Sequence, residues 1–194
     1  MMTSKSLFII VCLISCQACQ NAPGDKGYME WVRDYNNGLH VKNEVDDLIF
    51  DLQYQPSEYV WIQRSGSFDE KEFSQNRDEL DQIQYFTLSI SSNKNMDVIN
   101  SLSQNAIDKQ RVLYYFSYTF QNDIQLEQDG ELLPCVLYHF ERNVDIRNGR
   151  SFVLGFENKG SKSNEVKLAI KSDQLNPLPI KIKISKRNTS IFGL

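Results

Sequence analysis

The chain is poor in the residue types that most local chemistry requires. Histidine occurs only at His40 and His139, far apart. A zinc site draws several His, Cys or carboxylate ligands from helix or turn spacings, and no H-E-x-x-H motif is present. Of four cysteines, Cys12, Cys16 and Cys19 fall ahead of the body and only Cys135 lies within it. A structural disulfide is therefore not expected, and Cys135 is expected to be a small buried hydrophobe. Basic residues are outnumbered by acidic ones, 21 to 25, for a net charge of −4, which leaves no excess to neutralise phosphates and argues against a nucleic-acid partner. G-x-S-x-G does not occur. Cys135 and His139 would share a strand face at a separation of roughly 13 Å, too far for a nucleophile and its base. The run from Gln125 through Glu127 and Asp129 to Gly130 superficially matches a calcium loop, but position 12 would be Val136 where a bidentate Glu is required. Asp78, Glu79 and Asp81 fit a solvated helix face better than a cation site. Carboxylate pairs that meet only in the fold, as in glycosidases, stay open.

Long apolar runs are also missing. The longest, residues 7–14 (LFIIVCLI), is roughly half of the ~20 residues needed to span a bilayer as a helix. It follows Lys5, the positive end of a signal-peptide pattern. The run closes on Leu13-Ile14-Ser15-Cys16, which resembles the lipobox of bacterial lipoprotein precursors. That resemblance implies cleavage before Cys16, a diacylglycerol on its thiol and an acylated new amino terminus. Two or more acyl chains give stable anchoring where one is marginal. Gln17, rather than Asp, follows the cysteine; by the family's sorting rule this points to the outer membrane, facing the periplasm. The competing reading is a soluble secreted protein cut near Ala18, with Cys16-Gln17-Ala18 as a small-x-small site. No cofactor is expected beyond the covalent lipid on Cys16.

Residues 16–27 are polar and small, with Pro23 and Gly24, and read as a flexible tether. Residues 28–194 suit a single domain, beginning at the first bulky residues, Tyr28, Trp31 and Val32. Alternation of Leu48, Phe50, Leu52 and Tyr54 predicts a strand over 45–54, ended by Pro56. Ser57 is expected to cap one helical turn that turns Tyr59, Val60 and Trp61 inward. Ser67 and Glu70 form a capping-box pattern ahead of a charged helix reaching Leu80 with a thin stripe, Phe73 and Leu80. Strands are predicted over 82–91, 124–127, 132–140, 151–157, 165–170 and 179–185, with Asp129-Gly130 as a two-residue hairpin turn. A second helix is predicted over 95–110, capped by Asn95 or Asp97. Residues 111–120 (RVLYYFSYTF) are the most β-prone in the chain: as a strand they place Val112, Tyr114, Phe116, Tyr118 and Phe120 on the core face and Tyr115 on the other. Asn148-Gly149, Lys159-Gly160-Ser161 and Asn176-Pro177 are turn-like.

About eight strands, short turns and no βαβ alternation predict a mainly-β antiparallel sandwich with one or two inserted helices; an open α+β sheet with helices on one face is the alternative. Asn37-Gly38-Leu39, Gln53-Tyr54-Gln55-Pro56 and the stretch from Pro134-Cys135 to Tyr138-His139-Phe140-Glu141-Arg142 resemble uncharacterised bacterial envelope lipoproteins, a likeness that implies a class and no mechanism. Without a catalytic constellation, the expected role is non-enzymatic: an accessory or assembly factor binding another envelope protein. A glycan-binding module or small glycan-active enzyme using exposed Trp61 and Tyr115 is the alternative. Aromatic residues lining an open groove beside carboxylates would favour glycans; an exposed apolar patch would favour a protein partner.

Overall fold

A computed structural model describes residues 24–141, 149–160 and 163–186. The leader, Cys16, Cys19, Arg142 and the turn residues Asn148 and Ser161 lie outside them. The domain is mainly β and antiparallel throughout. Strands β1 (His40–Val45), β2 (Leu48–Gln55), β3 (Ile83–Ser92), β4 (Ile124–Gln128), β5 (Glu131–Glu141), β6 (Arg150–Glu157), β7 (Glu165–Ile170) and β8 (Ile180–Ser185) form one curled ribbon in the order β1-β2-β3-β6-β5-β4-β7-β8.

The ribbon folds over at β5. Its first residues, Glu131 to Pro134, pair with β4, and Cys135 to Glu141 pair with β6; a bulge between Cys135 and Leu137 interrupts the second ladder just past the change of partner. A bulge bends its strand and raises the local twist, which lets one strand serve both layers of a sandwich. The opposite edges also approach: Ser185 N–H donates to Gly38 O at 3.1 Å, so β8 nearly closes on the entry to β1. Gly38, at φ +78° with Ser185 Cβ 3.3 Å from where its own Cβ would sit, is needed for that approach. Between the layers lies a continuous core including Phe50, Leu52, Phe86, Leu88, Phe152, Leu154, Phe156, Leu168 and Ile182. Hairpin β4–β5 turns through Asp129 and Gly130, both at positive φ, as their dipeptide predicts.

Five α-helices occur among the described residues. The first, α1 (Asp25–Arg33), begins inside the stretch read as tether. With α2 (Ser57–Ser65) and α3 (Glu70–Leu80), it covers the outside of the β1–β3 end of the ribbon. Tyr28, Val32, Leu39, Tyr59 and Ile62 form one small core there, and Val60, Phe73, Leu80 and Tyr85 another. The remaining two, α4 (Val98–Ser101) and α5 (Ala106–Tyr114), link β3 to β4.

Several local expectations are corrected. The strand predicted over 45–54 begins at Leu48, and the preceding β1 is an additional strand joined to it by Asp46-Asp47, with Asp46 at φ 52°. Pro56, not Ser57, precedes α2, which runs well beyond one turn. Asp69 rather than Ser67 caps α3, its Oδ1 accepting from Glu72 N–H at 2.8 Å. The single helix over 95–110 is two, because Asp97 caps α4 and Asn105 caps α5.

The largest correction concerns 111–120, which is helical. α5 continues into a π turn, Tyr115–Thr119, and a 3₁₀ turn, Phe120–Asp123. Val112, Phe116 and Phe120 are spaced by four, a multiple of two that is also one helical step, so one list of residues satisfies both periods. In the helix these three enter the core, whereas Tyr114 and Tyr118 swing out to solvent.

Candidate functional site

The α5–π segment carries both surface features of functional interest. Asn105 starts it, its Oδ1 accepting from Ile107 and Asp108 N–H at 3.0 Å each. Burial of Val112, Phe116 and Phe120 sets its rotation. At the π turn Phe120 N–H bonds to Tyr115 O, five residues back, and the Tyr138 hydroxyl donates to Phe116 O. Single π turns inside helices occur frequently at functional sites.

Outward from this segment run Ile107, Tyr114 and Tyr118, which are 72%, 61% and 61% exposed. Their spacing of seven and four places them on one helix face. The Tyr114 and Tyr118 rings lie 5.0 Å apart at 48°, forming a paired aromatic surface. Arg111, joined to Asp108 at 3.2 Å, shares this face. Sequence reasoning missed these residues as a surface because the strand reading sent both tyrosines into the core.

On the inner flank, Tyr115 opens into a pocket of about 440 Å³ between the 3₁₀ turn and the 171–179 loop that joins β7 to β8. Its hydroxyl donates to Asp123 Oδ2 at 2.6 Å and lies 2.5 Å from Ser172 Oγ. Burial and the Asp123 carboxylate push the Tyr115 phenol well above its ordinary pKa. Lys171 N–H donates to Asp123 O at 2.9 Å, and Asn176 Nδ2 donates to Asp46 Oδ2 at 2.7 Å; these bonds tie the loop to the body at both ends. Lys171, Asp173 and Leu178 complete the walls and rim.

Tyr115 was singled out from the sequence as pointing away from the core. It is half-buried instead, with its ring 5.6 Å from Phe116 and 5.5 Å from Phe120 and its hydroxyl in the pocket. Trp61 is not exposed either. It packs against the small core of Phe73 and Leu80, 6.4 Å from the Phe73 ring, with its indole N–H buried and lacking a hydrogen-bond partner. The structure does not bring Trp61 and Tyr115 together in one groove: Trp61 is on α2 outside the ribbon, Tyr115 beside the β7–β8 loop. Cys16, the expected lipidation site, is outside the described residues.

The reactive candidates are occupied structurally. Cys135 is buried, and its thiol donates to Leu137 O at 3.0 Å; burial raises its pKa to about 11. His139 is exposed on β5. His40 Nδ1 meets Arg33 O at 2.7 Å, Nε2 bonds to Asp51, and the ring stacks on Tyr35 at 3.9 Å, so both nitrogens are committed. Among the described residues no group of three or more His, Cys, Asp or Glu could hold a metal ion, and no helix is long and apolar enough to cross a membrane.

No family model matches the chain, and no curated protein matches it. Two solved structures are similar. One is a DUF4426 family protein from Pseudomonas aeruginosa, at 6% identity and TM-score 0.33, covering 76% of this chain and 93% of that one. The other is a protein of unknown function from Burkholderia pseudomallei, at 10% identity and TM-score 0.35, covering 83% of this chain and 85% of that one. Neither likeness bears on what this chain does.

Proposed function

We propose that this chain is a lipid-anchored cell-envelope protein, attached through Cys16 to the outer membrane and facing the periplasm. Its non-catalytic β-rich domain acts as an accessory or assembly factor by binding another protein. The observation that carries the protein-binding part is the exposed face of Ile107, Tyr114 and Tyr118. Tyrosine presents a large rigid contact area at low entropic cost and is enriched where proteins meet. A tilted tyrosine pair beside a 72%-exposed isoleucine on a well-capped helix has the form of such an anchor. The anchoring part rests on the leader ending in Leu13-Ile14-Ser15-Cys16.

The glycan alternative draws less support, since the two aromatic rings it would stack sugars on, Trp61 and Tyr115, pack against Phe73 and against Phe116 and Phe120. The test is a mild-detergent pull-down of the tagged full-length protein from its own envelope. Beside it run Cys16→Ser and the double substitution Tyr114→Ser/Tyr118→Ser. Near-equal copurification of one protein, lost in the tyrosine variant, is expected. Cys16→Ser is expected to leave the membrane fraction and lose lipid labelling; a membrane-bound Cys16→Ser protein refutes the anchor, and a partner retained by the tyrosine variant refutes the interface.

A further inference from the structure

The Tyr115 pocket lies apart from the proposed protein-binding face, and its hydrogens can be assigned from chemistry alone. A phenol has one hydrogen, and a carboxylate can only accept. The short bond to Asp123 Oδ2 therefore holds the Tyr115 hydrogen. Ser172, 5% exposed and 2.5 Å from the same phenol oxygen, must in turn donate to Tyr115. Both hydroxyl hydrogens thus run toward Asp123. What these three side chains leave for a visitor is acceptors: the second carboxylate oxygen of Asp123 and the lone pairs of Ser172 and Tyr115.

A group that only donates, and donates several times, matches these acceptors best, and a primary ammonium has three donors and no acceptor. A sugar hydroxyl matches less well, because its own oxygen would find no donor hydrogen on Tyr115 or Ser172. Two further charges line the cavity. Asp173 adds a second carboxylate, and Lys171 brings an ammonium; neither has an ion-pair partner among the described residues. Opposite charges that share a pocket without pairing are suited to a ligand that carries both. Leu178, 73% exposed between Pro177 and Pro179, offers an apolar rim for an alkyl side chain.

We propose that this pocket binds a small zwitterion, an α-amino acid or short peptide, with its ammonium on Asp123 and Asp173, its carboxylate on Lys171 and an aliphatic side chain against Leu178. A cavity of about 440 Å³ is of the size that holds small ligands. Tyr115 and Ser172 act as positioning residues: they hold the Asp123 carboxylate in place and keep their hydrogens out of the ligand's way.

The test is titration calorimetry on the full-length protein in detergent, with L-leucine and Leu-Leu as zwitterions. Isoamylamine lacks the carboxylate, 4-methylpentanoate lacks the ammonium, and maltose carries hydroxyls only. Either zwitterion is expected to bind, and each single-charge fragment to bind about tenfold or more weakly, the scale of one lost charge-assisted hydrogen bond. Binding of Leu-Leu alone identifies peptide as the source, and binding of both identifies any free α-amino acid. Asp123→Asn and Lys171→Met should each weaken the zwitterion by a similar factor; Lys171 is exposed, so its variant reports on the site without threatening the fold. Tyr115→Phe keeps the carboxylate but loses the bond that holds it, and should weaken the zwitterion by less than Asp123→Asn does. No heat from either zwitterion, fragments that bind as well as leucine, an unaffected Lys171→Met, or maltose binding in place of the amino acid would each overturn the proposal.

Discussion

Gly155 of β6 is where a single methyl group should be felt most. It faces Tyr85 of β3 on one side and Leu137 of β5 on the other, just past the bulge where β5 passes between layers. A Cβ at this position would lie 2.8 Å from Leu137 Cβ and 2.9 Å from Ile83 Cγ2. Leu137 Cβ is fixed to its backbone, and Ile83 packs beneath α2 and α3, so neither atom can step aside cheaply. Gly155→Ala must therefore spread three strands, and overpacking of this kind costs about 1–3 kcal/mol. A gain of about 0.4–1 kcal/mol from the stiffer unfolded chain offsets part of it. Two contacts under 3 Å place the cost in the upper part of that range, so the net is about 1–2.6 kcal/mol; at about 2–4 °C per kcal/mol for a domain of this size, the expected fall is about 2–10 °C by scanning calorimetry. Leu137→Ala does not remove the offending Cβ, but Leu137→Gly does, and in that background Gly155→Ala should cost clearly less, a coupling of about 0.5–3 kcal/mol. An unchanged or raised melting temperature, or the same fall in both backgrounds, would refute the close three-strand approach.

Other consequences follow from buried polar groups. Glu58 is buried on α2, and desolvation, the leading cause, raises its pKa above the usual carboxylate range. Its folded value is thus above its unfolded value, so its contribution is full at low pH and is lost as pH climbs through the raised value. Glu58→Gln should flatten that loss and be the more stable form at neutral pH; a difference from wild type that does not vary with pH contradicts this. Asp97 caps α4 with Oδ1 and holds Arg150 at 2.7 Å with Oδ2, both side chains being nearly buried. Asp97→Ala should cost more than the ~1 kcal/mol of a lost cap in urea unfolding, because the bond to Arg150 goes with it, and Asp97→Asn, which keeps the cap, should cost less. Cys135, buried and with its pKa raised to about 11, should resist alkylation at neutral pH until the domain unfolds; fast labelling of the native protein would contradict its placement.

The strand pattern was legible wherever one face was clearly apolar, as in Ile180, Ile182 and Ile184 against Lys181 and Lys183. It was not legible in β1, whose HVKNEV offers only Val41 and Val45 to the core, as befits a strand at the end of the ribbon. The strand missed there and the false one over 111–120 offset each other, so the total of eight agrees while two members differ. In 111–120 β-propensity lost to packing, because Val112, Phe116 and Phe120 fill the core equally well from a helix. The caps at Asp69 and Asn105 were missed because the Ser67–Glu70 pattern placed the first helix start two residues early and the single helix read over 95–110 ran through the second. Tyr115 was flagged for facing away from the other aromatics, but its pocket draws on Asp123 and Ser172, whose meeting depends on long-range strand pairing that no local motif encodes.

The central claim is that the Ile107–Tyr114–Tyr118 face meets a protein partner at the membrane. The most direct measurement places a photocrosslinking amino acid at Tyr118 in the full-length, Cys16-bearing protein and irradiates intact cells, with Lys183 on the exposed face of β8 as control. The account predicts one discrete protein adduct from position 118, none from position 183, and loss of the adduct when Tyr114→Ser is added. No adduct at 118, or the same adducts from both positions, would contradict it.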